Sequence, residues 1–224
     1  MLTLKNRIVE RLNKLIDLTY LKPDTTRLRI EQLCAEAIEY DVYSVCVPPY
    51  FVQQVARILE DYQVKVCTVI GFPYGYDSTR VKAEAIKKAV EEMVDEIDVV
   101  ANIAAIKSGD WAYTMNDADS MVRLGHMRNL KVKWIIEMNL LTSEEIKHVC
   151  EIAVSKEVDF VKTGTGTVGN PVSPDDVRLL RSLLPDHMNI KASGGIRTLE
   201  QANALIEAGA NRLGTSAAKS ILIN

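Results

Sequence analysis

Cysteine is scarce: four stand in 224 residues, at Cys34, Cys46, Cys67 and Cys150, with no CxxC pair and no zinc-finger spacing. So sparse and irregular a set excludes a disulfide scaffold and reads as reduced thiols in a cytosolic protein. No low-complexity stretch or Pro/Ser-rich linker divides the chain, so it reads as one domain over 1–224. Long apolar runs are also missing. None reaches 18 residues, and MLTLKNRIVERLNKLIDLT spreads charges through its first 14 positions, so no apolar leader is expected. The expected location is the cytoplasm, with no membrane contact. Neither charge sign dominates, with 27 Lys and Arg against 30 Asp and Glu. A net charge of −3 supplies no general field for nucleic acid or anionic lipid, although a local pocket can still hold a small anion. Metal motifs are absent too: no HxH, HExxH or carboxylate cluster suggests a catalytic metal. His126, His148 and His187 fall in predicted helices or turns and read as surface or packing residues. No Ser–His–Asp arrangement stands out, and nothing calls for a cofactor.

What is present is a rhythm. With 47% hydrophobic and 25% charged residues, the composition is that of a globular chain long enough for a sizeable core. Short strand-like runs recur at Lys14–Leu18, Tyr43–Val47, Val64–Ile70, Glu96–Val100, Val132–Glu137, Val158–Lys162, Asn189–Ala192 and Ala210–Gly214. Helical periodicity fills the gaps, as in Ser78–Val94, Ser143–Glu157 and Thr198–Glu207. Eight such units average 28 residues, the length of a minimal strand-plus-helix repeat. Strict alternation implies a parallel sheet, and eight units favour a closed (β/α)8 TIM barrel over an open doubly wound sheet. Helix caps fit the division: Ser143 before two glutamates, Ser173 before Pro174, Thr198 with Glu200, and Gly209 as a C-terminal stop.

Active sites of such barrels lie at the C-terminal ends of the strands. The polar residues that alternation brings there are Asp17, Asp98, Glu137, Lys162 and Lys191. Lys162 and Lys191 end consecutive strands, about 4.8 Å apart, so two inward ammonium groups would repel. The cheapest relief is for one lysine to lose its proton, and a neutral amine is the nucleophile of Schiff-base chemistry. The bland alternative turns the lysines outward to decorate the rim.

Glycine gives a second signal. Seven of the 11 follow residue 163, clustered in Lys162-Thr163-Gly164-Thr165-Gly166, Ser193-Gly194-Gly195-Ile196-Arg197 and Gly214-Thr215-Ser216. Barrel enzymes commonly bind phosphate in the last two of these loops, where glycine lets the backbone approach closely.

A series of ordered segments then carries a resemblance that runs from about Ile16 to Ser216. They are Ile16-Asp17-Leu18-Thr19 with Leu21-Lys22-Pro23-Asp24, Ser44-Val45-Cys46-Val47, Cys67 to Pro73, Glu96 to Ile103, Ile135-Ile136-Glu137 before Leu140-Leu141-Thr142, Asp159 to Thr163, Lys191 to Thr198, and Gly214-Thr215-Ser216. The chain resembles the deoxyribose-phosphate aldolases, class I aldolases on a (β/α)8 barrel. The resemblance implies reversible cleavage of 2-deoxyribose 5-phosphate to acetaldehyde and glyceraldehyde 3-phosphate, without metal or organic cofactor, by a homodimer. By position, the Schiff-base lysine falls on Lys162 and the second lysine, which favours its neutral form, on Lys191. The proton-relay aspartate falls on Asp98, the aspartate paired with the second lysine on Asp17, and the phosphate loops on Gly166, Gly194, Gly195, Gly214 and Ser216.

Three departures stand out. Gly164 replaces a common serine beside the nucleophile, Met138-Asn139 follows Glu137 in place of Thr-Cys or Thr-Gly, and the sequence ends at Asn224 without the Tyr-ended tail of some members. The first two bear on the preferred sugar. Two other readings stay open: a Schiff-base aldolase of the same fold with a different aldehyde or sugar phosphate, and a non-catalytic sugar-phosphate-binding relative. Cys46, ending the second strand, is expected near the bound aldehyde as a site of inactivation.

Overall fold

The eight β-branched runs fold into β1 Ile16–Thr19, β2 Ser44–Val47, β3 Lys65–Ile70, β4 Glu96–Val100, β5 Lys131–Ile135, β6 Phe160–Lys162, β7 Asn189–Ser193 and β8 Arg212–Thr215. In the computed structural model, which describes residues 12–223, each strand pairs in parallel with the next and β8 closes on β1. The closed barrel is therefore the architecture, and the open sheet is excluded. Residues 1–11, on which the expectation of a missing leader rests, and residue 224 lie outside the described residues.

Around the barrel run α1 Arg27–Glu39, α2 Val52–Leu59, α3 Thr79–Glu91, α4 Ile103–Lys107, α5 Trp111–His126, α6 Ser143–Ser155, α7 Pro174–Leu183, α8 Leu199–Glu207 and α9 Ala218–Leu222. Among the described residues, no helix is long and apolar enough to cross a membrane. Side-chain oxygens cap most helix starts, each accepting an otherwise orphaned backbone N–H. Ser173 and Thr198 cap α7 and α8 as expected, but the box on Thr198 is closed by Gln201, not Glu200. The cap of α6 is Thr142 instead of Ser143, since Glu145 sits three residues after Thr142 and returns the hydrogen bond.

Strand ends differ from the sequence reading by a residue or two, each time for a local reason. β1 begins at Ile16 because Asn13–Leu15 forms a 3-10 turn, held by the Asn13 amide on the carbonyls of Tyr40 and Asp41. β6 begins at Phe160 because the Asp159 carboxylate replaces a ladder partner, accepting from the Val132 N–H at 3.0 Å and from Lys131 and His126. β5 stops at Ile135 because Glu137 takes a left-handed conformation (φ 48°) and opens the 3-10 turn Met138–Leu140.

The two faces of the sheet differ in kind. Outward residues such as Ile16, Leu18, Val45, Ile97, Val99, Trp134, Val161, Ile190 and Leu213 join the inner faces of the helices in one continuous apolar core. Inward residues are largely polar: Asp17, Ser44, Glu96, Asp98, Lys133, Lys162, Lys191 and Arg212 are all buried. Barrel interiors are ordinarily filled by Val, Ile and Leu.

Candidate active site

The inward charges form one network centred on Asp98. Its register on β4 places it level with Lys133 of β5, and the barrel's closure brings Lys162 and Lys191, themselves register partners, onto the same carboxylate. Lys162 Nζ lies 2.8 Å and Lys191 Nζ 2.7 Å from Asp98 Oδ2, while Lys133 Nζ lies 2.9 Å from Oδ1. Below this layer, Asp17 meets Lys191 at 2.5 Å and Arg212 at 2.8 Å, and accepts from Ser44 Oγ at 2.6 Å. Glu96 completes the set, 2.6 Å from Lys133 and 3.2 Å from Arg212.

Both expected lysines thus point inward, and the rim-decorating alternative is excluded. The electrostatics are richer than two repelling ammonium groups. Burial alone would raise the pKa of Asp98, but Lys133, Lys162 and Lys191 outweigh it and hold the carboxyl well below the usual range. Asp17 is depressed in the same way, against burial, by Lys191, Lys133 and Arg212. Burial would lower Lys191, yet Asp17 and Asp98 raise it, and Lys133 is raised well above the ordinary lysine range against the same penalty. Lys191 and Lys133 are therefore held charged. The network contains four cations against three carboxylates, so it is neutral when one lysine gives up its proton. Lys162 is tied to a single carboxylate, whereas Lys191, Lys133 and Arg212 each touch at least two.

Above Lys162 the barrel opens into a cavity of about 390 Å³. Gly166, Gly194, Gly195, Gly214 and Ser216, the five residues expected to cradle phosphate, all line it together with Lys162. Gly214 also has a packing duty: on β8 it faces inward, and a Cβ there would lie 3.2 Å from Lys191 Cε. The expected site residues are therefore brought together: Lys162 and Lys191 meet on Asp98, Lys191 reaches Asp17, and Lys162 lines the cavity with the five loop residues. The histidines stay outside the site, His126 on Asp159 and His148 stacked on Trp111.

Lys133, Glu96 and Arg212 were not among the expected residues. Strand alternation was signal enough for Lys133, which shares a face with Ile135 and stands level with Asp98, and for Arg212, two residues before Gly214. Glu137 gains a role as well. Its buried carboxylate accepts from the Thr165 N–H at 3.1 Å and from its hydroxyl at 2.5 Å, fastening the loop after β6. A Cβ on residue 164 would sit 2.5 Å from Glu137 Oε1, so Gly164 is what this placement of Glu137 requires.

A closed barrel with a lysine at the foot of its mouth and a second lysine bridged to it by an aspartate defines an aldolase architecture. The chain belongs to the DeoC/LacD family of aldolases, whose model matches residues 12–222. Among its relatives, the deoxyribose-phosphate aldolase of Thermococcus kodakarensis is 48% identical over 209 residues, covering 92% of this chain and 93% of that protein. That of Clostridium perfringens (strain 13 / Type A) is 43% identical over 212 residues, covering 95% and 94%. Among solved structures, an aldolase designated QR15 superposes with a TM-score of 0.90 at 38% identity, covering 95% of this chain and 94% of that one. The tetrameric deoxyribose phosphate aldolase of Aeropyrum pernix gives 0.90 at 31%, covering 96% and 91%.

Proposed function

We propose that this chain is a Schiff-base aldolase that reversibly cleaves 2-deoxyribose 5-phosphate to acetaldehyde and glyceraldehyde 3-phosphate, with Lys162 as nucleophile. The observation that carries this reading is the position of Lys162. Its amine stands at the floor of the mouth cavity, tied to one shared carboxylate, while Lys191 beside it is held charged by two.

The neutral amine of Lys162 attacks the C1 aldehyde, and protonation of the carbinolamine hydroxyl with loss of water gives an iminium. That cation is the electron sink for the next step. Asp98, held as a carboxylate, relays the proton from the C3 hydroxyl through water and Lys191. The C2–C3 bond breaks, its electron pair moves into the iminium to give an enamine, and glyceraldehyde 3-phosphate departs. Protonation of the enamine carbon and hydrolysis return acetaldehyde and free Lys162. Lys191 and Asp17 fix the charge around the amine. The backbone of Gly166, Gly194, Gly195 and Gly214, with Ser216, holds the phosphate, so binding energy at the far end of the substrate orients the reacting carbons. Glu137 positions the loop that carries Gly166. Among Schiff-base aldolases, the 43–48% identity to deoxyribose-phosphate aldolases over more than nine-tenths of the chain favours this substrate over another aldehyde. A single barrel domain carries the activity, and the reading includes a cytoplasmic homodimer; the tetrameric Aeropyrum pernix relative supports self-association.

Borohydride reduction in the presence of acetaldehyde tests the nucleophile. The expected product is the folded protein carrying an ethyl group on Lys162 alone, located by peptide mass mapping. Absence of any lysine adduct on folded protein overturns the Schiff-base reading, and an adduct on Lys191 or Lys133 reassigns the nucleophile.

A further inference from the structure

Two thiols lie side by side inside the barrel and enter the chemistry above at no step. Cys46 and Cys67 are register partners on the adjacent parallel strands β2 and β3, and both are fully buried. They face inward, forming with Val69, Leu21 and Phe72 a small apolar cluster apart from the main core. The two sulfur atoms and a carboxylate oxygen of Asp98 lie within 4.8 Å of one another. Cys67 Sγ donates to Asp98 Oδ1 at 3.3 Å and accepts from Lys133 Nζ at 3.4 Å.

We propose that Cys46 and Cys67 form a redox modification site, in which a peroxide joins them as a disulfide that switches off carbon–carbon cleavage. Backbone spacing permits the bond. Adjacent parallel strands run about 4.8 Å apart, inside the window of roughly 4.4–6.8 Å between Cα atoms that a disulfide spans. Access follows the substrate's own route, because Leu21 and Phe72, which pack on the pair, also line the mouth cavity with Lys162. The neighbouring Cys67 thiol lowers the pKa of Cys46 against the burial that raises it, and burial pushes that of Cys67 well up. The S–H bond to Asp98 holds Cys67 as a thiol, which leaves Cys46 as the attacking sulfur. Cys34 in α1 and Cys150 in α6 belong to the main core instead, where burial pushes each thiol up to about 12.

The reaction balances with hydrogen peroxide as the oxidant. The Cys46 thiolate attacks one peroxide oxygen, the O–O bond breaks, and a sulfenic acid forms as the other oxygen leaves and is protonated to water. Cys67 then attacks the Cys46 sulfur, the S–S bond forms, and the sulfenic oxygen departs as a second water carrying the remaining thiol proton. The sulfurs together lose two electrons and the peroxide gains them. In the product Asp98 Oδ1 has lost the Cys67 S–H donor, and the Cys67 sulfur is drawn toward β2, away from Lys133. The loss of turnover rests on the role given to Asp98 above; formation of the bond does not.

The protein is treated with hydrogen peroxide, its remaining thiols are alkylated after denaturation, and its peptides are mapped without reduction. The expected map links the peptides of Cys46 and Cys67 and leaves Cys34 and Cys150 alkylated. The expected rate of deoxyribose 5-phosphate cleavage falls about tenfold or more and returns with dithiothreitol. In Cys67→Ser, the linked peptide and the reversible part of the loss should both vanish, measured against that variant's own untreated rate. Alkylatable Cys46 and Cys67 after peroxide treatment, or reversible inactivation that survives Cys67→Ser, overturns the proposal. The map reads the bond even if the protein cleaves no sugar phosphate, so failure of the aldolase reading is told apart from failure of this one.

Discussion

The same eight strands present two opposite solvents. Outward, Val45, Ile97, Val99, Trp134, Ile190 and Leu213 join the apolar core; inward, Asp17, Glu96, Asp98, Lys133, Lys191 and Arg212 meet one another, buried. Outward burial is favourable residue by residue, each large aliphatic side chain contributing about 1.5–3 kcal/mol. Inward burial costs desolvation that the ion pairs at best return, so an apolar interior of similar volume would hold the barrel as well or better. The charged interior is therefore to be explained by chemistry, and the apolar wall by stability. A barrel can separate the two because successive residues of a strand point to opposite faces.

The sharpest break of this comparison is Lys162→Met. On the inward face it removes one cation of four and leaves Asp98 still paired to Lys133 and Lys191. The expected kcat for aldol cleavage falls on the order of a thousandfold or more, as for loss of other covalent nucleophiles. The urea midpoint should stay or rise, since three cations and three carboxylates remain in balance and a buried amine is gone. A variant that keeps more than a few per cent of the rate, or that fails to fold, removes the division of labour at its most important position.

Lys133→Met asks whether every inward charge is equally dispensable to the fold. Lys133 touches Asp17, Glu96 and Asp98 at once, so its removal leaves buried carboxylates without their shared cation. Breaking a buried pair from one side costs about 3–5 kcal/mol, a large fraction of the total stability of a domain. Urea denaturation should show a loss of that size. A loss below about 1 kcal/mol would mean that Arg212 and Lys191 can carry the network alone.

Much of this organisation was legible beforehand, and the parts that were not have physical reasons. Period-two alternation placed Lys162, Lys191, Asp98 and Asp17 on the inner face, because each interrupts an apolar run at or near a strand end. Lys133 and Arg212 obey the same alternation but stand in the middle and at the start of their strands, away from the C-terminal ends where active-site residues are sought. The tie between Lys162 and Lys191 through Asp98 was not readable, because it depends on barrel closure between β4, β6 and β7. Nor was the cause of Gly164: its need appears only when Glu137, 27 positions earlier, turns left-handed and lays its carboxylate against residue 164. Thr142 and Ser143 were equally good caps by type, and the reciprocal hydrogen bond of Glu145 decides between them.

The smallest expected effect sharpens the comparison with pH. Asp17 and Asp98 have folded pKa values below their unfolded value of about 3.9, so the unfolded chain binds more protons in acid. Their stabilisation is fully present above that unfolded value and drains away as pH falls through the depressed folded values. Lys191 and Lys133 act at the other end: raised in the fold, they contribute below about 10.4 and lose that contribution only at more alkaline pH. Urea midpoints should therefore be level, as far as these groups are concerned, from about pH 5 to 9 and fall below pH 4. Asp17→Asn should destabilise at neutral pH and flatten the acid limb, since one titrating inward carboxylate is gone. Ile97→Val on the same sheet, but on the outward face, should cost about 0.5–1.5 kcal/mol at pH 7 and the same at pH 3, with cleavage per folded molecule unaltered. An acid limb unchanged by Asp17→Asn, or an Ile97→Val cost that varies with pH, would show the two faces coupled through the strands that separate them.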